Sequence, residues 1–244
     1  MKDIPILILH GWNLSAEKFE PLQIEFRKRG YKVYCPDLPG FGKSEFPEKP
    51  LFLVDYVNFI KDFLSKNKLD KVIIIGHSFG GRISIKMTYK KPNLVQSLIL
   101  TGAPGAMPIP KCKVVFFILL AKVGKEVFKL PFFKFFQDKA RIFLYKIARA
   151  SDYYNTDEKM QETFKNIVRE NLEPSLSKIN VPTLLLWGRE DKIIPLWVAE
   201  KMNKLIKNSS LSIINDARHG APWTHPKEFV NEVEKFLEKV KRAD

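Results

Sequence analysis

Cysteine is scarce in this 244-residue chain, which holds two, Cys35 and Cys112. Two thiols make no disulfide framework, so packed or incidental thiols in a reducing compartment are expected. Long hydrophobic runs are missing too. The longest, Val114 to Ala121, falls far short of the roughly 20 residues a spanning helix needs. No charged-then-apolar leader with a small-residue cleavage site opens the chain, so the expected location is cytoplasmic rather than secreted. Internal repeats and low-complexity linkers are absent, which excludes solenoids and tethered arrays. Acidic residues are outnumbered, 27 against 41 Lys and Arg, for a net charge of +14. Such a balance admits nucleic acid, anionic membranes or acidic partners. A codon bias that makes lysine the default surface residue explains it equally, because Lys, Ile, Asn and Phe abound throughout. No nucleic-acid-binding module accompanies the charge, and no nucleic-acid partner is expected.

What is present is enough chain for one substantial domain with a large core, at 45% hydrophobic residues. Ile4 to His10 reads as a strand, Ala16 to Arg29 as a helix stopped by Gly30, and Tyr31 to Pro36 as the next strand. A Gly/Pro-punctuated loop, Asp37 to Ser44, follows. Leu51 to Lys68 reads as a helix, Lys71 to Gly76 as a strand, Gly80 to Lys91 as a helix and Leu94 to Thr101 as a strand. The alternation has no hairpin signals, which argues for a parallel sheet with right-handed crossovers. It lapses between Pro104 and Ser177, where the chain looks helical. It resumes with a strand (Val181 to Trp187), a helix (Pro195 to Lys207), a strand (Leu211 to Asn215) and a last helix (Pro226 to Lys241). Residues 1–103 and 178–244 are thus expected to form one core, with 104–177 inserted into it.

The chemistry gathers at Gly76-His77-Ser78-Phe79-Gly80-Gly81. A Gly-x-Ser-x-Gly between an isoleucine strand and a helix has the context of a nucleophile elbow, a strained turn that lifts a serine hydroxyl above the sheet. A serine needs a base to take its proton and a third group to orient that base. Loops after parallel strands converge on one edge, so His219, just beyond the last strand, is the expected base. His225, at the entry to the last helix, is the other candidate. Asp191, after the strand Val181 to Trp187, is the expected acid, with Glu190 and Asp216 as alternatives. Two backbone N–H groups should meet the developing oxyanion: that of Phe79 and, from the loop after the first strand, that of Trp12.

Together, His10-Gly11-Trp12, Asp37-Leu38-Pro39-Gly40-Phe41-Gly42-Lys43-Ser44, the elbow, Gly188-x-x-Asp191-x-x-x-Pro195 and His219 resemble the α/β-hydrolase superfamily, in its order. The resemblance implies an α/β-hydrolase fold: a mostly parallel sheet flanked by helices, with a helical cap inserted after the family's sixth strand. It also implies a serine hydrolase using no cofactor or metal. Two departures stand out. The family's opening antiparallel hairpin is missing, so that sheet edge looks trimmed. Arg218 stands where glycine is common before the histidine, and its cation either acts on the base or points outward.

Serine at the elbow argues against the family's haloalkane dehalogenase and epoxide hydrolase branches, which use aspartate there. Ester, thioester, amide and vinylogous C–C hydrolysis remain, and a carboxylesterase acting on an apolar acyl group is the expectation. A triad-retaining small-molecule receptor is the rival from another class. The cap carries eleven Phe and Tyr between Phe116 and Tyr154, either packing it onto the core or lining an acyl pocket. From Lys111 to Arg149 it holds ten bases against Glu126 and Asp138. They form a solvated face, or a seat for an acidic carrier protein or anionic membrane.

Overall fold

Leucine and isoleucine alternate along the first strand, β1 (Ile6–Leu9), and the alternation sorts them between two cores. Ile6 and Ile8 enter one apolar cluster, Leu7 and Leu9 the other. Strand β3 (Val72–His77) does the same, with Ile73 and Ile75 on the first side and Val72 and Ile74 on the second. A sheet covered on both faces needs apolar residues at every position, which is why these strands read as unbroken hydrophobic runs. Each fully buried Ile or Leu contributes about 2 kcal/mol by leaving water.

The computed structural model describes residues 2–107 and 158–243. Within them β2 (Val33–Tyr34), β4 (Val95–Thr101), β5 (Thr183–Gly188) and β6 (Ser209–Ile214) join β1 and β3 in a six-stranded sheet of order β2-β1-β3-β4-β5-β6. Every pairing is parallel. One face is covered by α1 (Glu20–Lys28), through Leu22 and Phe26, and by a C-terminal helix, Pro226–Ala243, through Phe229 and Val233. The other face is covered by α2 (Leu53–Lys66), α3 (Phe79–Lys90) and a helix over Leu196–Leu205. Between β4 and β5 the described chain supplies α4 (Glu158–Arg169) and the short α5 (Glu173–Leu176). The Leu196–Leu205 helix is therefore α6. A four-residue α7 (Ala221–Thr224) precedes the C-terminal α8.

Two elements differ from the sequence reading. The strand expected over Tyr31 to Pro36 pairs only at Val33 and Tyr34. It is an edge strand with one neighbour, and Pro36 has no N–H to extend the ladder. The helix expected from Ala16 to Arg29 is a 3-10 turn, Ala16–Phe19, followed by α1. Pro21 is the cause: it cannot donate into a continuous ladder but fits the first turn of a new helix. The basic and aromatic run from Lys111 to Tyr154 lies outside the described residues, as does Cys112.

Candidate active site

Parallel strands all end at one edge, so the register decides which loops meet. Leu9 aligns with Gly76, His77 with Thr101, and Gly188 with Ile214. From β1 the chain crosses to β2 on one side, then returns past β1 to β3 on the other. The strand order therefore reverses between β1 and β3, and a crevice opens there beyond their C-terminal ends. The His10–Trp12 turn and Ser78 flank that crevice.

Ser78 has φ 51° and ψ −111°, a left-handed conformation that side chains rarely adopt. Such a residue costs of order 1–3 kcal/mol and persists only where its surroundings enforce it. Here they do. Ser78 N–H donates to the Thr101 carbonyl at 3.0 Å, and Gly80 N–H to the His10 carbonyl at 3.0 Å. A Cβ at Gly80 would lie 2.1 Å from the Leu9 carbonyl oxygen, and one at Gly76 would lie 2.3 Å from Ser84 Oγ. Only glycine allows the elbow helix to approach β1 this closely.

Asp191 and His219 come together because the loops after β5 and β6 are laced through their backbones. Arg189 N–H donates to Ile214 at 3.0 Å, and Glu190 N–H to Ala217 at 2.9 Å. His219 Nδ1 stands 2.7 Å from Asp191 Oδ2. An ionised carboxylate only accepts, so Nδ1 carries the proton and Nε2 presents a lone pair. Asp191 Oδ1 is held by the N–H groups of Ile193 and Ile194, each at 2.9 Å, and the residue is buried. The imidazole lies over Gly102, where a Cβ would meet its Cε1 at 2.6 Å. Gly102 follows Thr101, the residue that anchors Ser78. Ser78, Asp191 and His219 thus share one edge, although no hydrogen bond joins Ser78 Oγ to His219 among the described residues; such contacts often close only around substrate.

The alternatives lie elsewhere. Glu190 faces out and meets Arg218 at 3.6 Å, and the Arg218 side chain is 80% exposed. Arg218 therefore points outward. Asp216 is exposed at a positive-φ turn, and His225 Nδ1 pairs with Thr224 Oγ1 at 2.8 Å.

Phe79 opens α3, where a helix leaves its first N–H groups without intrahelical acceptors. Neither its N–H nor that of Trp12 is taken by an acceptor among the described residues. The Trp12 turn is fixed from behind. His10 Nδ1–H donates to the Gly11 carbonyl at 2.8 Å, while Nε2 accepts from Leu38 N–H at 2.9 Å. Asp37 accepts from Ala16 N–H at 2.7 Å and Lys43 N–H at 2.8 Å, tying the turn to the 37–44 loop. Helix α4 closes over this side, with Phe164 5.0 Å from the Trp12 ring. A groove of about 960 Å³ runs alongside, between Phe41, Phe46 and Trp223. Cys35 offers no second nucleophile, since burial pushes its thiol up to about 12.

Two residues escaped the sequence reading. His77 ends β3 buried, 1% exposed, with its ring 4.7 Å from the His219 ring. Arg82, one turn after Ser78 and 8% exposed, donates to the carbonyls of Pro104 (3.1 Å), Ile167 (2.7 Å) and Glu170. A charge on the inner face of an apolar helix was the available signal for Arg82.

The family model of the alpha/beta hydrolase fold matches residues 4–126 and 145–226. The AB hydrolase superfamily protein YisY of Bacillus subtilis is 30% identical over 246 residues, spanning 93% of this chain and 88% of that protein. A 2-hydroxy-6-oxononadienedioate/2-hydroxy-6-oxononatrienedioate hydrolase of Cupriavidus pinatubonensis is 27% identical over 253 residues, 93% of this chain and 82% of its own. Among solved structures, the esterase EaEST of Exiguobacterium antarcticum superposes with a TM-score of 0.73 at 24% identity, covering 96% of this chain and 92% of that one. At that identity the likeness speaks for the fold.

Proposed function

The chain belongs to the alpha/beta hydrolase fold family, and from there we propose that it is a serine hydrolase that cleaves a carboxylic ester with an apolar acyl part. The observation that carries this reading is the Asp191–His219 pair at 2.7 Å, held over Gly102 beside a serine in a left-handed turn. Ser78 Oγ attacks the acyl carbon as His219 Nε2 takes its proton. Negative charge gathers on the carbonyl oxygen and is met by the N–H groups of Phe79 and Trp12, each worth about 3 kcal/mol. The alcohol departs with the proton from His219, leaving an acyl group on Ser78. Water then attacks, again deprotonated by His219, and the carboxylic acid leaves as Ser78 regains its hydrogen. Asp191 keeps the imidazole in one tautomer and stabilises its cation without taking the proton.

Apolar walls support the substrate class. Trp12 packs edge to face on Phe41 and Phe79, which lie tilted to each other at 6.0 Å, and Phe164 adds a fourth ring. A second reading, hydrolysis of a C–C bond by the same residues, has support from the Cupriavidus relative. It differs in the leaving group, a carbon that must be protonated rather than an alkoxide.

Ser78→Ala should lower kcat on nitrophenyl esters by about a millionfold and abolish fluorophosphonate labelling. Near-native turnover by that variant would refute the assignment. A panel of esters, thioesters and C–C substrates of graded length separates the two readings.

A further inference from the structure

Position 77, in the variable slot of the Gly-x-Ser-x-Gly turn, holds a histidine that the reaction above does not use. Its ring is wedged between the two loops that matter most. On one side, His77 Nε2 lies 3.0 Å from the His219 carbonyl oxygen. A carbonyl only accepts, so Nε2 carries the proton and Nδ1 is a bare lone pair, buried and without a hydrogen-bond partner. On the other side the ring presses on the Trp12 turn: a Cβ added to Gly11 would lie 2.9 Å from Nδ1 and 3.3 Å from Cε1. Phe19 and Trp223 complete the box, with ring centroids at 5.6 and 5.1 Å.

Resting on the assignment of His219 as the base, we infer that His77 is a positioning residue, whose single N–H docks the His219 backbone while its ring braces the Gly11–Trp12 turn. One side chain thus sets the spacing between the base and an oxyanion donor, on either side of Ser78. Its neutrality matters as well. Burial, with the His219 imidazole beside it, drives the His77 pKa down to about 3. During the reaction His219 becomes a cation 4.7 Å away. A neutral donor aimed at its backbone leaves that cation unopposed, where a charged neighbour would raise the barrier.

The test compares His77→Phe, His77→Gln and Ser78→Ala on a nitrophenyl ester, with thermal melts as the control for folding. The phenyl ring fills the box without an N–H, so kcat should fall about a hundredfold with KM within about twofold, as expected for a misplaced base. Glutamine restores a donor and should recover kcat to within about tenfold of wild type. A folded His77→Phe with wild-type kcat, or a His77→Gln no better than His77→Phe, overturns the inference. Should either variant fail to fold, ¹⁵N-histidine spectra of the wild-type protein decide. They should show His77 as the neutral Nε2–H tautomer down to about pH 5. An Nδ1–H tautomer or a titration near pH 6 overturns the inference. Activity surviving in Ser78→Ala would instead refute the hydrolase assignment, and the spectra read the His77 hydrogen bond independently of it.

Discussion

His10 and His77 enter the folded protein as neutral imidazoles, because burial disfavours their charged forms. In the unfolded chain each imidazole titrates near 6.5. Below that pH the unfolded state binds protons that the native state refuses, so stability must fall as pH falls. For His77 the contribution is whole above 6.5 and is lost progressively down to about 3. Denaturant melts at falling pH should show this loss, and His77→Gln should flatten the profile by up to about 1.4 kcal/mol per pH unit below 6. A variant with the wild-type pH slope would contradict it. At this scale, legibility depended on position in the chain. Ser78, Asp191 and His219 each stand just past a strand, and parallel strands deliver such positions to one edge. The contact from His77 to the His219 carbonyl joins residues 142 apart, through a side chain that resembles the end of an apolar strand. Nothing in local pattern announces such a partner.

Among the elements, α3 carries the elbow at its first turn and a latch at its second. Arg82 reaches the Pro104 carbonyl in the turn after β4 and the Ile167 and Glu170 carbonyls around the end of α4. Lys86, one turn on, pairs with the Glu170 carboxylate at 2.7 Å. The chain is thus pinned to the elbow helix where it leaves the sheet and where it returns. Burial brings the Arg82 guanidinium down to about 10, still charged at neutral pH, with Glu170 opposing the shift. Arg82→Met keeps the apolar bulk but strands three carbonyls, and should destabilise by about 3 kcal/mol in urea, at unchanged m-value. A loss of unfolding free energy under about 0.3 kcal/mol would show that the carbonyls find water instead. Strand and helix types were readable from periodicity, since buried parallel strands and amphipathic helices differ in repeat. Boundaries at Val33 and Glu20 were not, because edge pairing and the break at Pro21 depend on neighbours distant in sequence.

For the whole molecule, the strand-order reversal between β1 and β3 matters more than any single contact. It opens one crevice and leaves the sheet's other edge to helices and turns. The net charge of +14 acts over the same dimensions. Its field reaches about 30 Å at 0.01 M ionic strength and about 8 Å at 0.15 M. A neutral nitrophenyl ester should therefore show the same kcat/KM at both salts, whereas an ester borne by an acidic carrier protein should lose turnover steeply as salt rises. Equal salt dependence of the two substrates would leave the charge without a role in delivery. Among the described residues, no helix is long and apolar enough to cross a membrane.

The left-handed backbone at Ser78 sets a limit on how this protein can adapt. On the mechanism proposed above, turnover depends on this strained residue, so any exchange that relaxes the turn, glycine above all, should trade activity for heat resistance. Selection for a hotter habitat must find its gains in the helices and loops around the elbow, leaving the strained turn as it is.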